Sequence, residues 1–209
     1  MLKLACFDLD DTLIRHMHSV MFLCVLHGKE QEHALIQRQE EMGLLDYQTA
    51  DHQRARLVKG LDASLVNKHF LSTVQPLLNI AKTIQALHAS NILSVVITVG
   101  PRQVAEAAQH VWGLDTAFGS DYEVVGGQFT GTIRSYVDGE GKVQCLQQFL
   151  SHHGITPKEC VAIGDGSTDI PLFQYCGKSI AINALQKGKE QASCYIDTDD
   201  LFDILPLIL

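Results

Sequence analysis

The sequence has few of the features that direct a protein to nucleic acid, to a membrane or to secretion. It carries a net charge of −8 and no run of five basic residues, so it lacks the basic face that nucleic-acid binding needs. Its longest apolar runs, residues 19–26 and 201–209, are too short for a bilayer, which takes about 20 residues. The first residues also lack the pattern of a signal peptide. We therefore expect neither a nucleic-acid partner nor a membrane partner.

Cysteine pairs at metal-binding or redox spacing are absent as well. The six cysteines include no C-x-x-C pair, and isolated cysteines in apolar segments usually behave as small buried hydrophobes in a reducing compartment. The chain has 209 residues and is 46% hydrophobic, which is enough for a substantial core without disulfides. These features predict a globular cytoplasmic protein.

The order of the predicted elements favours an α/β fold with a helical insertion. An apolar strand at 2–7 is followed by about sixty residues that have helical but no strand patterns, and strands and helices alternate afterwards. Such alternation is typical of a doubly wound, mostly parallel sheet. We predict an α/β core at 1–14 and 75–209, with a small helical cap at 15–74. Predicted helices are 19–26, 30–42, 50–58, 64–72, 76–88, 101–112, 141–153, 168–175, 184–191 and 200–207; predicted strands are 2–7, 92–99, 160–163, 179–182 and 195–196, with a hairpin within 122–133.

Unusual polar residues follow three of the predicted strands. Asp8-Leu9-Asp10-Asp11-Thr12 places three carboxylates within four residues, and Gly164-Asp165-Gly166-Ser167-Thr168-Asp169 supplies two more. Ligands of open α/β sheets bind beyond the carboxyl ends of the strands, so both acidic loops should meet at one edge. Clustered carboxylates repel one another unless a cation offsets their charge, and oxygen ligands suit Mg²⁺. The alternative is two ordinary capped helix starts, where acidic residues are also favoured.

The third strand end and one lysine could bind an anion at the same edge. Thr98 ends its strand, and the backbone N–H groups of Val99 and Gly100 precede a helix that starts with Pro101, so hydroxyl and N–H groups form a candidate phosphate seat. Lys142 comes 23 residues before Asp165, with a helix and a strand between them. That connection could return its ammonium to the acidic site, although lysines at helix starts are usually solvated.

These four segments, in this order, resemble the haloacid dehalogenase-like phosphohydrolases. The family pattern is matched by Asp8-x-Asp10-x-Thr12, Thr98, Lys142 and Gly164-Asp165-x-x-x-Asp169. The runs 161–170 and 176–184 are similar to the phosphoserine-phosphatase branch, as is a helical cap placed after the first motif. The resemblance implies a Mg²⁺-dependent phosphatase that acts on a small phosphate monoester.

The resemblance also implies a role for each motif residue. Asp8 would attack phosphorus and form an aspartyl-phosphate, and Asp10 would be the general acid and then the general base. Magnesium would be held by Asp8, by the main-chain carbonyl of Asp10 and by Asp165. Thr98 and Lys142 would hold phosphoryl oxygens, while Asp169 would position Lys142 or a metal-bound water. Thr12 would hydrogen-bond within its loop, and Asp11 would be a solvated cap residue.

The cap is where the sequence departs from the branch. On the resemblance, Arg54 would meet a substrate carboxylate and Tyr47 would form an aromatic wall. The branch usually carries a Glu shortly after the first motif to bind the amino group of serine, but residues 15–18 read Arg-His-Met-His. We therefore expect a small phosphomonoester other than phosphoserine. His16 and His18 fit the cap surface or the substrate pocket better than a metal site, since no third ligand lies nearby.

Two other functions remain compatible with the motifs. A phosphotransferase or mutase would use the same aspartyl-phosphate but pass the phosphoryl group to an acceptor other than water. A non-catalytic binding protein could keep the fold, although such a protein would not need both Asp8 and Asp10.

Overall fold

The computed structural model describes all 209 residues and contains a seven-stranded, mostly parallel sheet. Its order is β6-β5-β4-β1-β7-β8-β9, with only the β5–β6 pair antiparallel. A separate two-stranded sheet pairs β2 with β3. The strands are β1 Leu4–Phe7, β2 Ile14–Arg15, β3 Gln75–Pro76, β4 Leu93–Pro101, β5 Thr116–Val125, β6 Gln128–Ser135, β7 Cys160–Gly164, β8 Lys178–Ile182 and β9 Cys194–Ile196. The predicted α/β fold class is confirmed.

Helices cover both faces of the sheet because the central strands are apolar on both sides. Cys6 and Val95 pack in one hydrophobic cluster, whereas their neighbours Phe7 and Val96 pack in the other, as the period of two requires. The helices are α1 Ser19–Leu26, α2 Glu30–Glu41, α3 Tyr47–Leu57, α4 Ser64–Thr73, α5 Ile80–Ala89, α6 Arg102–Trp112, α7 Gly139–His153, α8 Ile170–Tyr175 and α9 Gln186–Gln191, with 3₁₀ segments at Pro157–Glu159, Ser167–Asp169 and Leu201–Leu207. None of these helices has the length and apolarity that crossing a bilayer takes.

Four helices, α1 to α4, lie between β1 and β4 in the chain and pack as one group against the core. Phe70 of α4 connects this helical group to the core, because its ring contacts Phe22 of α1 at 5.9 Å and Trp112 of α6 at 5.4 Å between ring centroids. The β5–β6 hairpin also reaches this group, since Gly60 N–H donates to the carbonyl of Phe129 at 2.8 Å. The helical group therefore covers the edge of the sheet where the strands end.

Several predicted element boundaries were wrong for identifiable reasons. The helix predicted at 76–88 begins at Ile80, because Gln75–Pro76 pairs with Ile14–Arg15 and Asn79 has a φ of 57°. Pro101 is the last residue of β4, so α6 begins at Arg102 rather than at Pro101. The last segment is a 3₁₀ helix with Pro206 inside it, and proline removes a backbone donor that an α-helix would use.

Candidate active site

A buried lysine joins two carboxylates at the edge where the parallel strands end. Lys142 Nζ donates to Asp8 Oδ1 and to Asp169 Oδ1, at 2.7 Å each, and its side chain is fully buried. Lys142 lies in the first turn of α7. Asp138 is the N-cap of this helix, and its side chain accepts a hydrogen bond from Gly141 N–H at 2.8 Å. Burial lowers the pKa of Lys142, but the two carboxylates outweigh it and raise that pKa above its usual value. The lysine is therefore a permanent cation within the core.

The loop after β7 is folded around the second oxygen of Asp169. That oxygen accepts from the backbone N–H groups of Asp165 and Gly166, at 3.1 Å each. A β-carbon at position 164 would lie 2.4 Å from Asp169 Cγ, so only glycine fits there. Thr12 completes the loop contacts by donating to Asp165 Oδ1 at 3.3 Å. Thr12 thus connects the two acidic loops rather than bonding within its own.

Three carboxylates from these loops form a compact cluster. One oxygen from each of Asp8, Asp165 and Asp169 lies within 4.8 Å of the others. Burial, reinforced by the charge of Asp169, raises the pKa of Asp165 to about 7 and that of Asp8 well above its usual range. Lys142 supplies one positive charge against three carboxyl groups, so the cluster has an excess of negative charge. A hard cation with oxygen ligands fits this donor set.

Asp10 points at the start of α1, where Ser19 binds both of its oxygens. The Ser19 N–H and hydroxyl donate to Asp10 Oδ1 and Oδ2, each at 2.6 Å, so the aspartate caps a helix nine residues away. Burial raises the pKa of Asp10, and the two Ser19 bonds partly oppose that rise. A β-carbon on Gly100 would come within 2.0 Å of Ser19 Oγ and 3.2 Å of Asp10 Oδ2. Glycine at position 100 therefore lets the two segments meet.

The predicted phosphate seat is only partly exposed. Thr98 is buried, and its Oγ1 accepts from Gly100 N–H at 3.0 Å. Val99 is buried as well, while Gly100 lines the cavity above the acidic cluster. Neither Thr98, Val99 nor Lys142 lines that cavity. The N–H of Gly100 is thus already used within its own turn.

A cavity of about 470 Å³ lies between the acidic cluster and α1 to α3. Only two of its 16 lining residues are hydrophobic, so most of the residues that line it are polar or charged. The lining residues are Asp8, Asp10, Asp11, His18, Val20, His33, Gln37, Glu40, Tyr47, Asp51, Arg54, Gly100, Asp165, Gly166, Ser167 and Thr168. The two cap residues singled out in the sequence, Tyr47 and Arg54, both belong to this lining, with Tyr47 half-exposed.

The guanidinium of Arg54 is already bonded to the protein. Its Nη1 donates to Asp51 Oδ1 at 3.0 Å, and its Nη2 donates to Gln37 Oε1 at 3.0 Å and to Glu40 Oε2. Asp51 accepts a further bond from the Tyr136 hydroxyl at 2.8 Å. The arginine that the resemblance directs toward a substrate carboxylate thus has two carboxylates of its own.

His18 and Asp11 form an ion pair at the mouth of the cavity. His18 Nε2 lies 2.8 Å from Asp11 Oδ2, and this hydrogen bond raises the pKa of His18 to about 9. His16 does not line the cavity; it has a φ of 62° in the turn that leads to α1.

Sequence reasoning missed several residues that the structure brings into the site. The sequence indicates Ser19 only as a helix start, because its bonds to Asp10 depend on how that helix approaches the loop. Asp51 and Arg54 are three residues apart on one helix face, a spacing that could have revealed the pair. Glu40, Gln37 and His33 line the cavity because α2 packs beside α3, and no local signal shows that packing.

Comparison with known proteins gives a consistent family assignment. A family model for haloacid dehalogenase-like hydrolases matches residues 5–174. The chain is 32% identical over 208 residues to a phosphoserine phosphatase of Streptomyces coelicolor, covering 99% of this chain and 50% of that one. It is 30% identical to a phosphoserine phosphatase of Methanocaldococcus jannaschii, covering 99% and 97%. The chain therefore spans half the length of the first relative and nearly all of the second.

Solved structures with the same architecture cover the whole chain. A phospho-aspartyl intermediate analogue of phosphoserine phosphatase superposes with a TM-score of 0.83 at 29% identity, covering 100% of this chain and 99% of that one. A substrate-bound phosphoserine phosphatase gives a TM-score of 0.84 at 28% identity over the same shares. The fold and its helical insertion are thus shared with enzymes of this kind.

Proposed function

The chain belongs to the haloacid dehalogenase-like hydrolases, and from that premise we propose that it hydrolyses a small phosphate monoester through an aspartyl-phosphate on Asp8. One observation carries the proposal: a buried lysine bonds Asp8 and Asp169 while Asp165 lies within 4.8 Å. A single positively charged group thus holds together carboxylates from loops that are about 160 residues apart in the sequence. The phosphoserine phosphatases to which the chain is similar support the same chemistry.

The proposed reaction has two steps. In the first, an oxygen of Asp8 attacks phosphorus, the ester P–O bond breaks, and Asp10 gives its proton to the leaving alcohol. In the second, water attacks the phosphorus of the aspartyl-phosphate and loses its proton to Asp10, which releases inorganic phosphate and restores Asp8. Burial raises the pKa of Asp10, and this brings the carboxyl group closer to the neutral range in which it can act both as acid and as base.

The acidic cluster supports Mg²⁺ as the cofactor. The residues that would hold it are Asp8, Asp165 and the main-chain carbonyl of Asp10, and the ion supplies positive charge that offsets repulsion between the nucleophile and the phosphate. Asp169 has both oxygens engaged, one with Lys142 and one with backbone N–H groups, so its role is to position Lys142.

The remaining residues divide between phosphate binding and support. We propose that Thr98, Val99, Gly100 and Lys142 contact phosphoryl oxygens. This requires the buried Thr98, Val99 and Lys142 to become accessible from the cavity and the Gly100 N–H to exchange its bond with Thr98 for one to the ligand. Thr12 supports Asp165. Residues 15–74 would act as the cap, with 1–14 and 75–209 as the catalytic core. All six cysteines are free thiols, which supports a reducing compartment such as the cytoplasm.

The direct test is hydrolysis of p-nitrophenyl phosphate by the purified chain with Mg²⁺. We expect release of p-nitrophenol that EDTA abolishes and that added Mg²⁺ restores, because the acidic cluster would lose its compensating charge without the ion. Turnover that persists unchanged in EDTA would contradict the metal assignment. Absence of turnover with metal present would contradict the phosphatase itself.

Ser19→Ala should shift the pH dependence of kcat to higher pH. The Ser19 hydroxyl stabilises the ionised form of Asp10, so its loss raises the pKa of Asp10, and the base form is then reached only at higher pH. We expect the acid limb of kcat to move up by roughly one unit. Ser72→Ala, on the exposed end of α4, is the matched control. An acid limb that stays in place would show that Ser19 does not tune Asp10.

A further inference from the structure

The residues that line the cavity carry more negative than positive charges, and this imbalance affects which substrates can bind. Six carboxylates line it, and the only side chains that carry positive charge there are Arg54 and His18. The carboxylates are Asp8, Asp10, Asp11, Glu40, Asp51 and Asp165. Both cations already have anionic partners, His18 with Asp11 and Arg54 with Glu40 and Asp51. No cation of the lining remains free for an anionic leaving group.

The guanidinium of Arg54 in particular has no pair of free N–H groups that could bind a substrate carboxylate. A carboxylate binds guanidinium best through two parallel N–H bonds, but Nη1 and Nη2 of Arg54 are bonded to Asp51, Gln37 and Glu40. The remaining nitrogen, Nε, has no partner and is buried. Arg54 itself is 4% exposed and Asp51 is 5% exposed, so this ion pair is structural. Removing one member of such a buried pair leaves an uncompensated charge.

The wall of the cavity that α2 and α3 form is therefore anionic or neutral. Glu40 and Asp51 together exceed Arg54 by one negative charge. Burial raises the pKa of Asp51, but the bonds that its two oxygens accept, from the Tyr136 hydroxyl and from Arg54, oppose that rise and favour the ionised carboxylate. Burial lowers the pKa of His33 to about 4, so its imidazole is neutral and offers one donor and one acceptor. A second anionic group on the substrate would face like charge here, which disfavours its binding.

We infer that the site takes phosphate monoesters whose leaving group carries hydroxyl or ammonium donors and no carboxylate. This inference rests on the proposed phosphatase activity and names its substrate class. Glu40, Gln37 and Tyr47 face the cavity from α2 and α3 and can accept hydrogen bonds from such donors. The pairing of Arg54 with Glu40 is the element that rejects amino-acid phosphates and phosphorylated hydroxy acids. Glu40 is thus a specificity-determining residue.

Two matched pairs of esters test this. O-phosphoserine is phosphoethanolamine with one added carboxylate, and 2-phosphoglycerate has a carboxylate where glycerol 2-phosphate has a hydroxymethyl group. We expect kcat/KM to favour the member without a carboxylate on the order of a hundredfold in each pair. A preference below about tenfold, or a reversed one, overturns the inference. Comparing the two favoured esters then separates an ammonium leaving group from a neutral polyol.

A substitution at Glu40 tests whether this residue determines the preference for esters without a carboxylate. Glu40→Gln frees part of the Arg54 charge, so the preference within each pair should fall by roughly tenfold or more. Glu30→Gln, an exposed position at the start of the same helix, should leave the preference unchanged. An unchanged preference in Glu40→Gln overturns the role of Glu40.

The experiments distinguish failure of the inferred substrate class from failure of the proposed phosphatase activity. If the wild-type chain does not hydrolyse p-nitrophenyl phosphate, the proposed activity fails. In that case the binding affinities of the same esters are measured by calorimetry, and the same preference within each pair is expected. If p-nitrophenyl phosphate is hydrolysed but the carboxylated esters are preferred, the activity stands and the substrate class is wrong.

Discussion

Asp8→Asn is expected to lower kcat for p-nitrophenyl phosphate by about 10⁴-fold or more, the usual scale for loss of a nucleophile. The amide has the shape of the carboxylate but no anionic oxygen to attack phosphorus. Stability should not explain the loss. Asp8 is buried beside Asp169, and its pKa is raised chiefly by burial and then by the Asp169 charge. Removing this charge relieves a like-charge contact, and Lys142 keeps Asp169 as a partner.

The measurement therefore combines initial rates with thermal unfolding. We expect Asp8→Asn to unfold at or above the wild-type temperature while its turnover is lost. Asp197→Asn, an exposed aspartate paired with Lys189, should change neither quantity appreciably. Substantial turnover in Asp8→Asn would show that another residue is the nucleophile.

Lys142→Met is expected to reduce both activity and stability. The methionine fills similar space but leaves Asp8 and Asp169 buried without the ammonium that both contact at 2.7 Å. Breaking a buried ion pair typically costs about 3–5 kcal/mol of unfolding free energy. If Lys142 binds phosphoryl oxygens as proposed, loss of its positive charge should lower kcat/KM by on the order of 10²–10³-fold. Lys68→Met, at an exposed position of α4, is the matched control.

The stability loss in Lys142→Met should depend on pH in a defined direction. Lys142 lowers the pKa of Asp8 from the value that burial alone would give, so the variant raises that pKa further. The folded variant then holds protons that the unfolded chain releases, and its unfolding free energy falls as pH rises. Urea unfolding at pH 5 and pH 8 should show the larger deficit relative to wild type at pH 8. A deficit that is equal at both values, or larger at pH 5, would contradict the assignment of Lys142 as the neutralising group.

The acidic site was predictable because it depends on a rule of topology. Asp8 follows β1 and Asp165 follows β7, and these parallel strands are neighbours in the sheet, so their carboxyl ends meet at one edge. Lys142 was predictable for a related reason, since a helix of fixed length connects it to β7. The roles of these residues in catalysis stay predictions, but their convergence follows from strand order and connection length.

The surroundings of the site were less predictable because they depend on packing between helices. The start of α3 was predicted at residue 50, whereas Asp46 caps it by accepting from Thr49 N–H at 2.8 Å, a signal stronger than apolar periodicity. The partners of Arg54 include Glu40, 14 residues earlier on another helix. Only the packing of α2 against α3 brings them together, and no spacing in the sequence encodes that contact.

The central claim is that Asp8 itself becomes phosphorylated during turnover. The most direct measurement is to acid-quench the enzyme during hydrolysis, reduce it with borohydride and sequence the peptides by mass spectrometry. An acyl phosphate at Asp8 would be reduced to the alcohol, so homoserine at position 8 is the predicted result. Homoserine at another aspartate, or unmodified Asp8 under conditions of steady turnover, would contradict the account.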